Sequence, residues 1–141
     1  MKKIIASAIL AGSVSLAGTA HAQVIQTPDM ILASVQATCT ATPDQCAAAM
    51  AAAIASLQAM GLSVNALNAQ IGALIAAVAQ IAGTLPAAAQ AQLAAAISTA
   101  ATGFAGPNAA ALAATAQEVA SAVSTGSPID NAVFAQLASG N

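Results

Sequence analysis

The sequence predicts an all-α fold, a compact antiparallel bundle of about six alanine-rich helices. Two observations predict it. Helix start and stop signals recur with a period of roughly 21 residues, and apolar residues between them recur at spacings of three and four. The start sites Thr42, Ser63, Thr84, Gly106 and Ser127 are 21, 21, 22 and 21 residues apart. Alanine, the best helix former, fills most of what remains.

The first helix, over 28–39, opens at Thr27-Pro28-Asp29. This places a capping hydroxyl, a proline whose missing N–H is harmless, and an acid at the positive end of the dipole. Thr42-Pro43-Asp44-Gln45 repeats the pattern for a helix over 43–60, with Gln45 placed for a capping box. Ser63 caps a third over 64–82. Thr84, ahead of Pro86, opens a fourth over 85–102. Gly106-Pro107 opens a fifth over 107–125, and Ser127, followed by Pro128 and Asp130, opens a sixth over 128–139. The glycines at 61, 83, 103 and 126 stand where left-handed C-terminal residues belong. Gly72 alone interrupts a helix and marks a close helix approach.

Each helix carries an apolar stripe. Val64, Leu67, Ile71, Leu74, Val78 and Ile81 alternate by three and four through the third. Cys46, Met50, Ile54, Leu57 and Met60 line the second. Leu93 and Ile97 mark the fourth; Leu112, Ala116, Val119 and Val123 the fifth; Ile129, Val133 and Leu137 the sixth. Such stripes face a core. Connections of two to four residues return each helix beside its predecessor. A short α-solenoid would also suit a regular period. The bundle is preferred because the terminal helices are shorter and suited to covering its ends.

The N-terminus reads as a secretory signal peptide over 1–22. Lys2 and Lys3 form its basic region, Ile4 to Leu16 its apolar stretch, and Ala20-His21-Ala22 an A-x-A-like cleavage site before Gln23. Residues 23–141 then form one alanine-rich helical domain, secreted or periplasmic. Both lysines and the histidine leave with the leader. The four acids that remain are Asp29, Asp44, Glu118 and Asp130.

In an exported chain two cysteines imply a disulfide, here Cys39–Cys46 across the first turn. The pair lacks the ligand set of a metal site and the C-x-x-C spacing of a redox motif.

This inventory excludes much chemistry. Without cations there is nothing to pair with nucleic-acid phosphates or anionic lipid headgroups. Nucleophilic catalysis lacks a base. The three aspartates are accounted for by helix starts, and Glu118 reads as a solvated face residue. No phosphate loop or metal-ligand cluster is present, so no cofactor and no enzymatic activity is expected.

The expected function is a non-catalytic, self-associating structural protein of the bacterial envelope or cell surface, with copies of itself or an envelope protein as partner. Its motive is a surface far less charged than the 25–35% typical of soluble designs. A membrane-associated pilin-like or pore-forming role is the alternative, resting on the apolar run from Ala66 to Ala82. Asn68, Gln70 and Gln80 interrupt that run, and flanking cations and aromatics are missing. A third reading is a periplasmic ice- or small-ligand-binding module. Alanine-rich helices with threonine resemble α-helical antifreeze proteins in composition, without a shared motif.

Overall fold

Thr27 starts the first helix of the computed structural model, which describes residues 26–140. The expected leader over 1–22 and its expected cleavage site lie outside the described residues. The elements are α1 (Pro28–Ala41), α2 (Cys46–Ala59), α3 (Val64–Ala82), α4 (Ala87–Ala100), α5 (Ala109–Thr125) and α6 (Asn131–Ser139). Single 3₁₀ turns over Pro43–Gln45 and Ala101–Gly103 extend two of the connections. No strand occurs among the described residues.

The helices form a bundle around α3, which packs against each of the other five. That decides between bundle and solenoid. A solenoid element touches only its neighbours along the chain, whereas α1 and α6 both lie against α3. Each helix also contacts its predecessor in the chain, as short connections require. The middle of α3 buries Leu67, Ile71, Leu74, Ile75 and Val78. Met50 and Leu57 from α2, Leu93 and Ile97 from α4, Leu112 and Val119 from α5, and Leu137 from α6 complete the core. Each fully buried Leu or Ile contributes on the order of 1.5–3 kcal/mol of burial. These few large side chains therefore carry most of the driving force among many alanines.

Gly72 and Gly140 let α6 settle onto α3. A Cβ on Gly72 would strike the Leu137 carbonyl, and one on Gly140 would strike the Asn65 carbonyl and the backbone of Ala69. The contacts run in opposite directions along the two helices, so α6 lies antiparallel to α3.

Several helix starts differ from their expected positions. Thr42 does not cap α2. Its hydroxyl turns back to the Thr38 carbonyl at 3.1 Å, joining its own N–H on the same acceptor at 2.8 Å. Pro43–Gln45 then winds as a 3₁₀ turn, no capping box forms, and α2 begins at Cys46. Thr84 does not cap α4. Its hydroxyl and N–H both donate to the Ile81 carbonyl, at 2.8 and 2.9 Å, and so finish α3. Gly83 stays right-handed, and Pro86 occupies the cap position of α4. Ser127 does not cap α6. Asp130 does, accepting the Ala132 N–H at 2.9 Å. Ser127 instead lies 2.8 Å from the Thr125 hydroxyl. The fifth helix starts at Ala109, after Asn108. The observed starts are thus 18 residues apart for the first two intervals and 22 or 23 for the rest.

Two starts lie where expected. Thr27 Oγ1 accepts the Met30 N–H at 3.4 Å, and Ser63 Oγ accepts that of Ala66 at 3.3 Å. The end of α5 has a left-handed Gly126, whose turn lets the Ser127 N–H reach the Ala122 carbonyl at 2.9 Å.

Candidate functional site

The side chains with the most chemical potential are occupied or dispersed. Cys39 and Cys46 are joined by a disulfide with a Cα–Cα distance of 4.5 Å, and both are fully buried. The bond ties the end of α1 to the start of α2, where each cysteine sits on the inward face of its helix. Asp29, Asp44, Glu118 and Asp130 are all exposed. Asp29 occupies the first turn of α1 and Asp44 the 3₁₀ turn ahead of α2, while Asp130 is the cap of α6. No three His, Cys, Asp or Glu residues gather into a metal-binding group among the described residues.

The remaining candidate is the outer surface. The large apolar side chains are buried or half-buried apart from Met30, Met60 and Val64, which are 48%, 40% and 44% exposed. Met60 and Val64 flank the turn from α2 to α3, at the far ends of the stripes expected for those helices. No large apolar stripe is left facing outward.

What faces outward on α2 is alanine, apart from Gln58. Ala48, Ala52, Ala55 and Ala59 are all exposed and follow one another at spacings of four, three and four. That is the alternation of a packed helix seam, repeated on the side opposite the buried Met50, Ile54 and Leu57. From Gln45 to Gln117 no side chain is ionisable except the bonded Cys46. The groove between α1 and α2 is lined by Met30, Ser34, Ala49 and Ser56. The groove between α4 and α5 is lined by Ala95, Ser98, Gln117 and Ser121, with Ser98 donating to Gln117 at 3.1 Å.

Two polar residues whose structural roles the sequence does not disclose position the connections between helices. Asn68 is almost wholly buried in α3. Its Nδ2 donates to the Ala105 carbonyl at 2.9 Å, and its Oδ1 accepts the Ala105 N–H at 3.0 Å. Both faces of one amide are thus spent on pinning the α4–α5 connection to the central helix. Gln90, in the second turn of α4, donates Nε2 to the carbonyls of Ala82 and Leu85, at 3.2 and 3.1 Å. It fixes the α3–α4 turn. Beside it lies a half-open cleft of about 370 Å³, which the α5–α6 connection also lines.

Asn68 also bears on α3, which has the length and composition of a membrane span. The polar interruption at Asn68 is an internal clamp, and the apolar residues around it form the centre of the bundle.

Comparison with protein-family models, with curated proteins and with solved structures gives no match.

Proposed function

We propose that this chain is an exported, non-catalytic structural protein that acts by helix-face contact, packing against further copies of itself. The observation that carries this reading is the exposed seam Ala48, Ala52, Ala55 and Ala59 on α2. It repeats the three-four alternation by which helices pack, with side chains short enough for close approach. Nothing ionic between Gln45 and Gln117 opposes such contact. Export is supported by the leader pattern and by a disulfide, which persists in oxidising compartments. N-terminal sequencing after expression with the leader tests export, with Gln23 expected as the first residue. Sedimentation velocity over a dilution series tests assembly.

The membrane-spanning alternative has less support. The only described helix long and apolar enough to span is α3, and it contacts all five other helices. Its apolar face is used inside the bundle, so withdrawing it into lipid would dismantle the core.

A further inference from the structure

We infer that the cleft between the α3–α4 turn and the α5–α6 connection is a binding site for a small uncharged molecule with an apolar body and one hydrogen-bond-donating head. This inference stands apart from self-assembly, which rests on the exposed alanine face of α2. The cleft is half open to solvent, with a volume of about 370 Å³, at the small end of the range for organic ligands. Ala79, Ala82, Val123, Ile129 and Phe134 supply apolar lining from three helices and a connection. Phe134 is one of only two aromatic residues in the chain, and it is half-buried here rather than sealed in the core.

The polar side of the cleft is oriented in advance. Gln90 commits its Nε2 to the Ala82 and Leu85 carbonyls. An amide so fixed can turn only its carbonyl oxygen toward the cleft, and Gln90 Oε1 lies 3.5 Å from where a Cβ on Gly126 would stand. A side chain at position 126 would crowd this acceptor. The C-terminal ends of α3 and α5 flank the same space, and helix C-termini carry partial negative charge. The terminal carbonyls of Ile81, Ala82, Ala122 and Val123 already accept hydrogen bonds within the chain, so Gln90 Oε1 is the acceptor the cleft offers, and it favours a ligand that donates. It contains no carboxylate to neutralise an ammonium group. Taking a cation out of water without an opposite charge is costly, so the assignment is to a neutral alcohol or amide head.

The test is titration of the ¹⁵N-labelled protein with 2-phenylethanol, its methyl ether and 2-phenylethylammonium, followed by amide chemical shifts. The alcohol is expected to give saturable shifts confined to Gly83, Gly126, Ser127, Ile129, Phe134 and their neighbours. The ether, which cannot donate, is expected to bind about three- to tenfold more weakly. Replacing Gln90 by Met removes the acceptor and should erase the difference between alcohol and ether. Ser127→Phe, at an exposed position on the rim, should weaken both. Absence of saturable shifts with the alcohol, shifts spread over the α1–α2 and α4–α5 grooves, or equal affinities of alcohol and ether for the unaltered protein would overturn the proposal. Binding of the ammonium as tight as that of the alcohol would also overturn it. Because the ligands are compared on the unaltered protein, the result does not depend on either variant folding.

Discussion

Gly72 in the middle of α3 lies directly against the backbone carbonyl of Leu137 in α6, with no room for a methyl group between them. The contact explains a glycine in the longest helix, where it costs about 1 kcal/mol relative to alanine. It also explains how a nine-residue helix with only one fully buried side chain is held in place. Gly72→Ala should destabilise the protein by about 1–3 kcal/mol through overpacking, measured by chemical denaturation. Gly83→Ala is the control. Its backbone is right-handed, and the nearest atom to the added Cβ is the Gln80 carbonyl at 3.8 Å. That substitution should be neutral or stabilising by about 0.4–1 kcal/mol.

The Asn68 clamp predicts an unusual pH dependence for one variant. Asn68→Leu should cost about 1–3 kcal/mol by leaving the Ala105 N–H and carbonyl without their partner. In Asn68→Asp, an ionised carboxylate would be buried and would face the Ala105 carbonyl, which it cannot serve as a donor. Both effects raise the folded-state pKa of the introduced carboxyl above its unfolded value. Its neutral form is then the one compatible with folding. Relative to the unaltered protein, the variant should be least destabilised at low pH and lose stability as pH rises through the folded-state value. Denaturation midpoints of both proteins across pH check this. A deficit that grows on acidification would contradict it.

The buried disulfide predicts protection as well as stability. Both cysteines have no exposed surface, so reductant must wait for α1 and α2 to separate. Thiol alkylation with mass spectrometry should show slow reduction in native buffer and rapid reduction in denaturant. Replacing both cysteines by alanine should cost roughly 2–3 kcal/mol in the chain-entropy model. The helical circular dichroism spectrum should persist at low temperature.

The start of α6 offers a direct comparison of the capping residue, Asp130, with a serine three positions before it that does not cap. Asp130→Ala removes the acceptor of the Ala132 N–H and should cost about 0.5–2 kcal/mol. Ser127→Ala removes only a hydroxyl contact with Thr125 at the surface and should change stability by less than about 0.5 kcal/mol. Thermal denaturation of the two variants separates the roles.

These differences show what the sequence could disclose. Thr27 was legible from the proline that follows it at the first helical position, and Ser63 from the three-four apolar period that begins at Val64. Gly72 was legible because a glycine inside a long helix needs a reason. Ser127 and Asp130 were not separable, since both are good caps and Pro128 between them suits either register. Thr84 was misleading because threonine can close the preceding helix as readily as open the next, and the choice was made by the turn after Ile81. The Asn68–Ala105 pair spans 37 residues, and no local pattern encodes a contact of that range. The cleft beside Gln90 joins two connections distant in the chain, so its lining became evident only from the packing. The outward alanine seam was present in the sequence, but its composition does not say which alanines face outward.

Self-association through that seam is open to direct measurement. Ala52→Lys combined with Ala55→Lys places two charges on exposed positions in residues of good helix propensity, so folding should be preserved. The decisive measurement is sedimentation velocity of the unaltered protein and this double variant, from micromolar to millimolar concentration. The prediction is an unaltered protein whose sedimentation coefficient rises with concentration, and a variant that stays monomeric with the same circular dichroism spectrum. An unaltered protein that remains monomeric throughout, at low and high salt alike, would contradict the account.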